Sequence, residues 1–147
     1  MTGVQTCALP ISTPGPSNVT FTGTSATLRS LNGVRDIALN NKHLSVGSST
    51  GTDSVYAGAF SGSGILEKIG NSTLTLTGAS TNTGITTQNS GRIILNGSMV
   101  APMNILQDAT LSGTGTVSGH ITLQGKIEPG DGVGTMTIGG LSGEVGV

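Results

Sequence analysis

The feature that most constrains this chain is a spacing. Four short strand-like segments stand out: TLTLT at 73–77, RIILN at 92–96, GTVSG at 115–119 and TMTIG at 135–139. One apolar position from each, Leu74, Leu95, Val117 and Ile138, forms an almost evenly spaced series. Such internal periodicity constrains a fold more than local propensity does. In TLTLT, Leu74 and Leu76 fall on one face and the threonines on the other, as a strand requires. A Gly-x-Gly series marks Gly62 and Gly64, Gly113 and Gly115, and Gly132 and Gly134. Between these lie ATLSG at 109–113, HITLQ at 120–124 and KIEP at 126–129, each a short strand candidate ended by Gly or Pro or followed by Gly. An interval just above twenty residues holding several short strands suits one coil of a parallel β-helix.

In that architecture coils stack at the inter-strand spacing of ~4.8 Å, aliphatic side chains form ladders inside, and Thr and Ser face water. The core is narrow, so small and β-branched residues can fill it. This matters because the chain is 2% aromatic with no Trp, and it carries 25 Gly. An antiparallel sandwich also shows short strands at regular spacing, but it needs bulkier core residues and hairpin signals. The clearest Asn-Gly pairs here are Asn32-Gly33 and Asn96-Gly97. We therefore expect an all-β chain, a right-handed parallel β-helix of roughly six coils from Thr13 onward, incomplete at both ends, with a stack about 30 Å long. The strand-like stretches VTFTG, ATLRSL, IALNN and HLSVG are less evenly spaced, so residues 13–60 read as less regular coils.

Charge and hydropathy exclude several classes. A net charge of −1 leaves no basic surface for nucleic acid. The same near-neutral balance, with Ile, Leu and Val throughout, argues against disorder. No apolar run approaches the ~18 residues of a membrane-spanning helix, and no stretch has the form of a signal peptide. Residues 1–12, MTGVQTCALPIS, differ in texture from everything after them and resemble a translated sequencing-adapter read-through, a non-native leader. They hold the one cysteine, Cys7, for which no redox or catalytic role is expected.

The segment SGSGILEKIGNSTLTLTGASTNTGITTQNSGRIIL, residues 61–95, resembles the passenger-associated repeat of bacterial autotransporters. Gly62, Gly64, Leu66, Lys68, Gly70, Thr73, Leu74, Thr75, Leu76, Gly78, Gly84, Thr86, Gly91 and Ile93 fall in its register. The departure is STNTG, where Thr83 stands in the place of the repeat's aromatic residue. LSGTGTVSGHITLQGKIEPGDGVGTMTIGG, residues 111–140, is similar to the segment that follows the repeat, so 96–147 reads as further coils. The resemblance implies a β-helical stalk in a type V secreted protein, exposed on the surface of a Gram-negative cell. It would be held to the outer membrane by its own C-terminal β-barrel translocator. Neither a signal peptide nor a barrel is visible, so an internal passenger fragment is expected. The resemblance also implies adhesion, with host or cell-surface glycans or proteins as partners. The lack of cysteine after Thr13 agrees with passage through the periplasm, where disulfides form.

Motifs that could carry chemistry are few. GSSTG at 47–51 matches a nucleophile elbow centred on Ser49, but TDSVYAGAF after it has no helical period. His43 and His120 lack metal-ligand spacing, and His120 is expected to point outward. GHITLQGK at 119–126 is one residue too long for a phosphate loop. Asn18, Asn71 and Asn96 open glycosylation sequons that carry little weight in a bacterial chain. Asp108, Glu128 and Asp131 could share a face one coil apart, as a carbohydrate-active β-helix enzyme would need. At 9% charged residues the chain is poorly stocked for that alternative. The expectation is a structural, non-enzymatic chain with no catalytic, cofactor-binding or metal-binding residue and no cofactor.

Overall fold

The computed structural model describes residues 9–11, 22–130 and 133–143, and every regular element among them is a strand. A short strand β1 (Leu9–Ile11) precedes the stack. The first coil is β2 (Ser25–Leu28), β3 (Leu31–Gly33) and β4 (Ile37–Ala38), and the second is β5 (His43–Val46), β6 (Ser54–Tyr56) and β7 (Phe60–Ser61). The third is β8 (Ile65–Lys68), β9 (Thr73–Leu76) and β10 (Ala79–Ser80). In the fourth and fifth coils, β11 (Thr86–Leu95) and β13 (Met103–Gly113) bend around one corner and cover two sides. The short β12 (Ser98–Met99) forms the third side of the fourth coil. The start of β14 (Thr116–Leu123) does so in the fifth, and its end begins the sixth. That sixth coil continues through β15 (Lys126–Pro129) and β16 (Thr137–Gly143).

All strand pairs are parallel, which excludes the sandwich; the one antiparallel contact among the described residues is an isolated bridge between Gly113 and Gly130. The result is a three-sided β-solenoid of about six turns, as the sequence led us to expect. Its first side stacks Ala26, Leu44, Leu66, Thr86, Met103, Ile121 and Leu141 in one column. The second stacks Ser54, Leu74, Ile93, Leu111 and Ile127, and the third Ser80, Met99, Val117 and Ile138. Alternate residues on each strand turn inward, so every second residue is buried in β2, β5 and β9.

The register corrects the sequence-derived ladder. Leu74 pairs with Ile93, not Leu95; Leu95 pairs with Leu76; and Val117 lies on a different side, between Met99 and Ile138. Of the steps read from the sequence, only the last, from Val117 to Ile138, joins register partners. Along the second column the step from Ser54 to Leu74 is the longest and the step from Leu111 to Ile127 the shortest, whereas on the third side the last step, from Val117 to Ile138, is the longest. Thr83 is exposed, and the buried residue of that turn is Asn82.

Corners are where backbone approaches backbone most closely. Gly70 and Gly91 have φ of 68° and 73°, a region that favours glycine, and they occupy the same corner of successive coils. A Cβ on Gly91 would collide with the Gly70 carbonyl oxygen and lie 2.9 Å from Lys68 Nζ.

Ile93 is fully buried between Leu74 and Leu111, so Ile93→Ala should destabilise the fold by about 2–5 kcal/mol. Thr75, on the outer face of β9, should tolerate Ala within about 0.5 kcal/mol. Chemical denaturation of both variants checks this, and equal midpoints would remove the ladder.

Candidate functional site on the first side of the solenoid

Parallel register brings together polar groups that are far apart in sequence. On the outer face of the first side, Ser45 stands beside Glu67, and His43 beside Ile65. His43 Nε2 lies 2.9 Å from Glu67 Oε2, to which Ser45 Oγ also donates at 2.8 Å. Asn89 Nδ2 donates to Glu67 Oε1 at 2.6 Å from the next coil, where β11 has an irregular register. Burial alone would raise the Glu67 carboxyl; the hydrogen bonds from Ser45, Asn89 and His43, with the His43 charge, outweigh it and hold it below the usual range. A shallow cavity of about 290 Å³ opens beside His43, lined also by Thr24, Asn41, Lys42, Ser63 and Ile65.

The serine hydroxyl and the imidazole both meet the carboxylate rather than each other. The serine–imidazole–carboxylate order of a nucleophilic relay is therefore not formed by Ser45, His43 and Glu67. The arrangement can fix an imidazole and hold a carboxylate charged across three coils. Sequence reasoning missed it because His43, Glu67 and Asn89 are far apart along the chain and meet only through coil register.

Inside the same side, the column Val46, Lys68, Gln88, Ile105 turns polar in the middle. Lys68 is 1% exposed and donates from Nζ to the carbonyls of Ile69 at 2.8 Å and Gly70 at 3.0 Å. Gln88 Nε2 repeats the device one coil later, donating to Gly91 O at 3.0 Å and Thr110 O at 2.8 Å. Burial pulls the Lys68 ammonium down to about 8, and Asp53 offsets only part of this. On β11 and in the turn before it, the buried oxygens Asn82 Oδ1, Thr86 Oγ1 and Gln88 Oε1 meet no hydrogen-bond partner among the described residues.

The motifs singled out in the sequence fare differently. Ser49 is exposed in a turn after β5, and the next element is the strand β6, so the helix of a nucleophile elbow is absent there. His120 is exposed and lies 2.7 Å from Ser142 Oγ. Asp108 sits four residues before Ser112, the register partner of Glu128, so the two carboxylates occupy different columns. Glu128 is instead paired with Arg92 at 2.7 Å and with Lys126, whose hydrogen bond and charge, with Arg92, hold its carboxyl low. Asp131, Cys7 and Asn18 lie outside the described residues. Among the described residues no group of three or more His, Cys, Asp or Glu could hold a metal ion.

Two pH dependences follow. Glu67 titrates lower in the folded chain than its usual 4.5, so its stabilisation is present above that value and is lost as pH falls through the folded one. Glu67→Gln should flatten the pH dependence of thermal stability in acid, as pH falls from about 4.5 through the lower folded value; an unchanged slope there would reject the network. For Lys68 the folded group releases its proton near 8 and the unfolded group near 10.5, so between these the unfolded chain binds more protons. Stability from this residue should therefore rise with pH across that window, and Lys68→Met should remove the rise.

No protein-family model matches the chain, and no solved structure matches it. The chain is similar to a protein named extracellular serine protease from Serratia marcescens, 36% identical over 84 residues, which is 56% of this chain and 8% of that protein. The match thus spans a small part of that relative's length. It also corrects the expectation of a non-enzymatic chain, because the similar protein is by name an enzyme.

Proposed function

We propose that this chain is a β-solenoid portion of the passenger of an autotransporter-type protein, exported to the cell exterior. Its coils form a rigid extension that carries and spaces the functional parts of a longer polypeptide. The observation that carries this reading is the unbroken parallel stack, whose inward columns run from Ala26 to Leu141 on one side alone. Similarity to an extracellular enzyme supports both an exterior location and membership in a protein with proteolytic activity. The resemblance of residues 61–95 to a passenger repeat supports type V export through a C-terminal barrel. Adhesion to glycans or proteins on a surface belongs to the same reading.

Export of such a stalk would draw on coil-by-coil folding outside the cell, since each coil templates the next. A charge in the buried ladder should then impair display, whereas a charge on the outer face should not. Leu95 is 1% exposed, and an aspartate there would strand a charge among aliphatic neighbours. With this chain fused to an outer-membrane barrel, Leu95→Asp should reduce protease-accessible passenger on intact cells while Thr75→Asp leaves it unchanged. Equal display of both variants, at equal total protein, would break the link between this core and export.

A further inference from the structure

The cavity beside His43 lies on the wall of the solenoid rather than at an end of it. Thr24 leads into the first coil, Asn41 and His43 into the second, and Ser63 and Ile65 into the third, so successive corners build its lining. Asn40 and Asn41 have φ of 33° and 62°, left-handed values that asparagine tolerates better than most residues. Lys42 N donates to Leu39 O at 2.7 Å and closes this turn, and Gly62 packs under it where a Cβ would collide with Asn40. The corner thus holds Asn41 in a defined place at the opening.

The polar groups there are already sorted by role. Ser63 Oγ donates to Asn41 Oδ1 at 2.6 Å, which leaves the Asn41 Nδ2 protons for a ligand. His43 Nε2 faces the charged Glu67 carboxylate and so carries the ring proton, which leaves Nδ1 as an acceptor in the neutral imidazole. Ile65 adds an aliphatic surface that is 39% exposed, and none of the lining residues is acidic. A ligand that fits must donate and accept at neighbouring atoms and also present an apolar face. An anion meets only the first donor and is repelled by the imidazole acceptor. A sugar ring has all three properties, because each hydroxyl both donates and accepts and the ring C–H groups form an apolar face. The volume of about 290 Å³ is small for a ligand pocket and suits a single ring.

We propose that this cavity binds one neutral pyranose unit of a surface glycan, with its hydroxyls on Asn41 and His43 and its C–H face on Ile65. The proposal rests on the adhesive part of the function given above and names the site for it. Saturation-transfer NMR on the purified chain, with methyl glucoside, methyl galactoside and methyl mannoside as probes, tests it. At least one should receive magnetisation, with a Kd of about 1–10 mM. Asn41→Gly removes the amide at a backbone conformation that suits glycine, and should weaken binding at least about fivefold with an unchanged unfolding midpoint. Ser63→Ala frees the same amide to turn away and should weaken binding too; it serves where the glycine variant fails to fold. Absence of transfer to all three probes would overturn the proposal, as would equal transfer to glycerol or a preference for methyl glucuronide. Undiminished binding in both variants would do the same. Binding by the purified chain involves no export, so failure here leaves the display comparison of Leu95→Asp and Thr75→Asp untouched, and the reverse.

Discussion

Everything in this molecule depends on parallel, in-register hydrogen bonding between coils. Once Leu66 is bonded beside Leu44, and Thr86 beside Leu66, each inward side chain has one fixed neighbour above and one below. The interior becomes a set of columns rather than a freely repacked core. Size must then be balanced along each column and across each coil. The second coil holds both Tyr56 and Phe60, whose rings lie 4.9 Å apart between centroids. The third coil places the small Ser80 next to Phe60, where its hydroxyl accepts from the Phe60 amide at 3.0 Å. Tyr56 sends its hydroxyl 2.7 Å to the Arg35 carbonyl, so even the largest buried side chain leaves no polar atom stranded.

The same stacking creates a demand that hydrophobic residues cannot meet. Corner turns leave carbonyls outside the strand ladders, and burial makes an unmet carbonyl expensive. Lys68 and Gln88 meet that demand from inside, one coil apart, each reaching from a strand to the turn that follows it. Other gaps are closed from neighbouring coils by short polar side chains. Asn32 Oδ1 accepts from Val55 N, Asp53 Oδ1 from Thr73 N, and Asn96 Oδ1 from Thr114 N. The Asn-Gly pairs at 32–33 and 96–97 thus serve parallel coils rather than hairpins.

Alternation was legible in the sequence because Leu-Thr periodicity records directly which face is wet. The presence of coils was legible because Gly recurs wherever a corner brings backbones together. The register was not. Steps shorten progressively along the second side, so a constant interval drawn through Leu74, Leu95 and Val117 crosses from one column to another. The network around Glu67 depends on that register and was invisible for the same reason. The alternation that turns Leu66 inward turns Lys68 inward as well, but a lysine on a strand ordinarily faces solvent, so its burial was not read.

One contact departs from neighbour-to-neighbour stacking. Arg92 on the fourth coil bonds Ser112 on the fifth at 3.4 Å and Glu128 on the sixth at 2.7 Å, spanning 36 residues of chain. A linear array of repeats melts like a one-dimensional lattice in which each unit feels only those beside it. A strap across two spacings adds a next-nearest coupling. Fraying that starts at β15 must release Arg92 before the coil beneath can loosen. The fourth, fifth and sixth coils are thereby tied by a direct contact as well as by the stacking between neighbours.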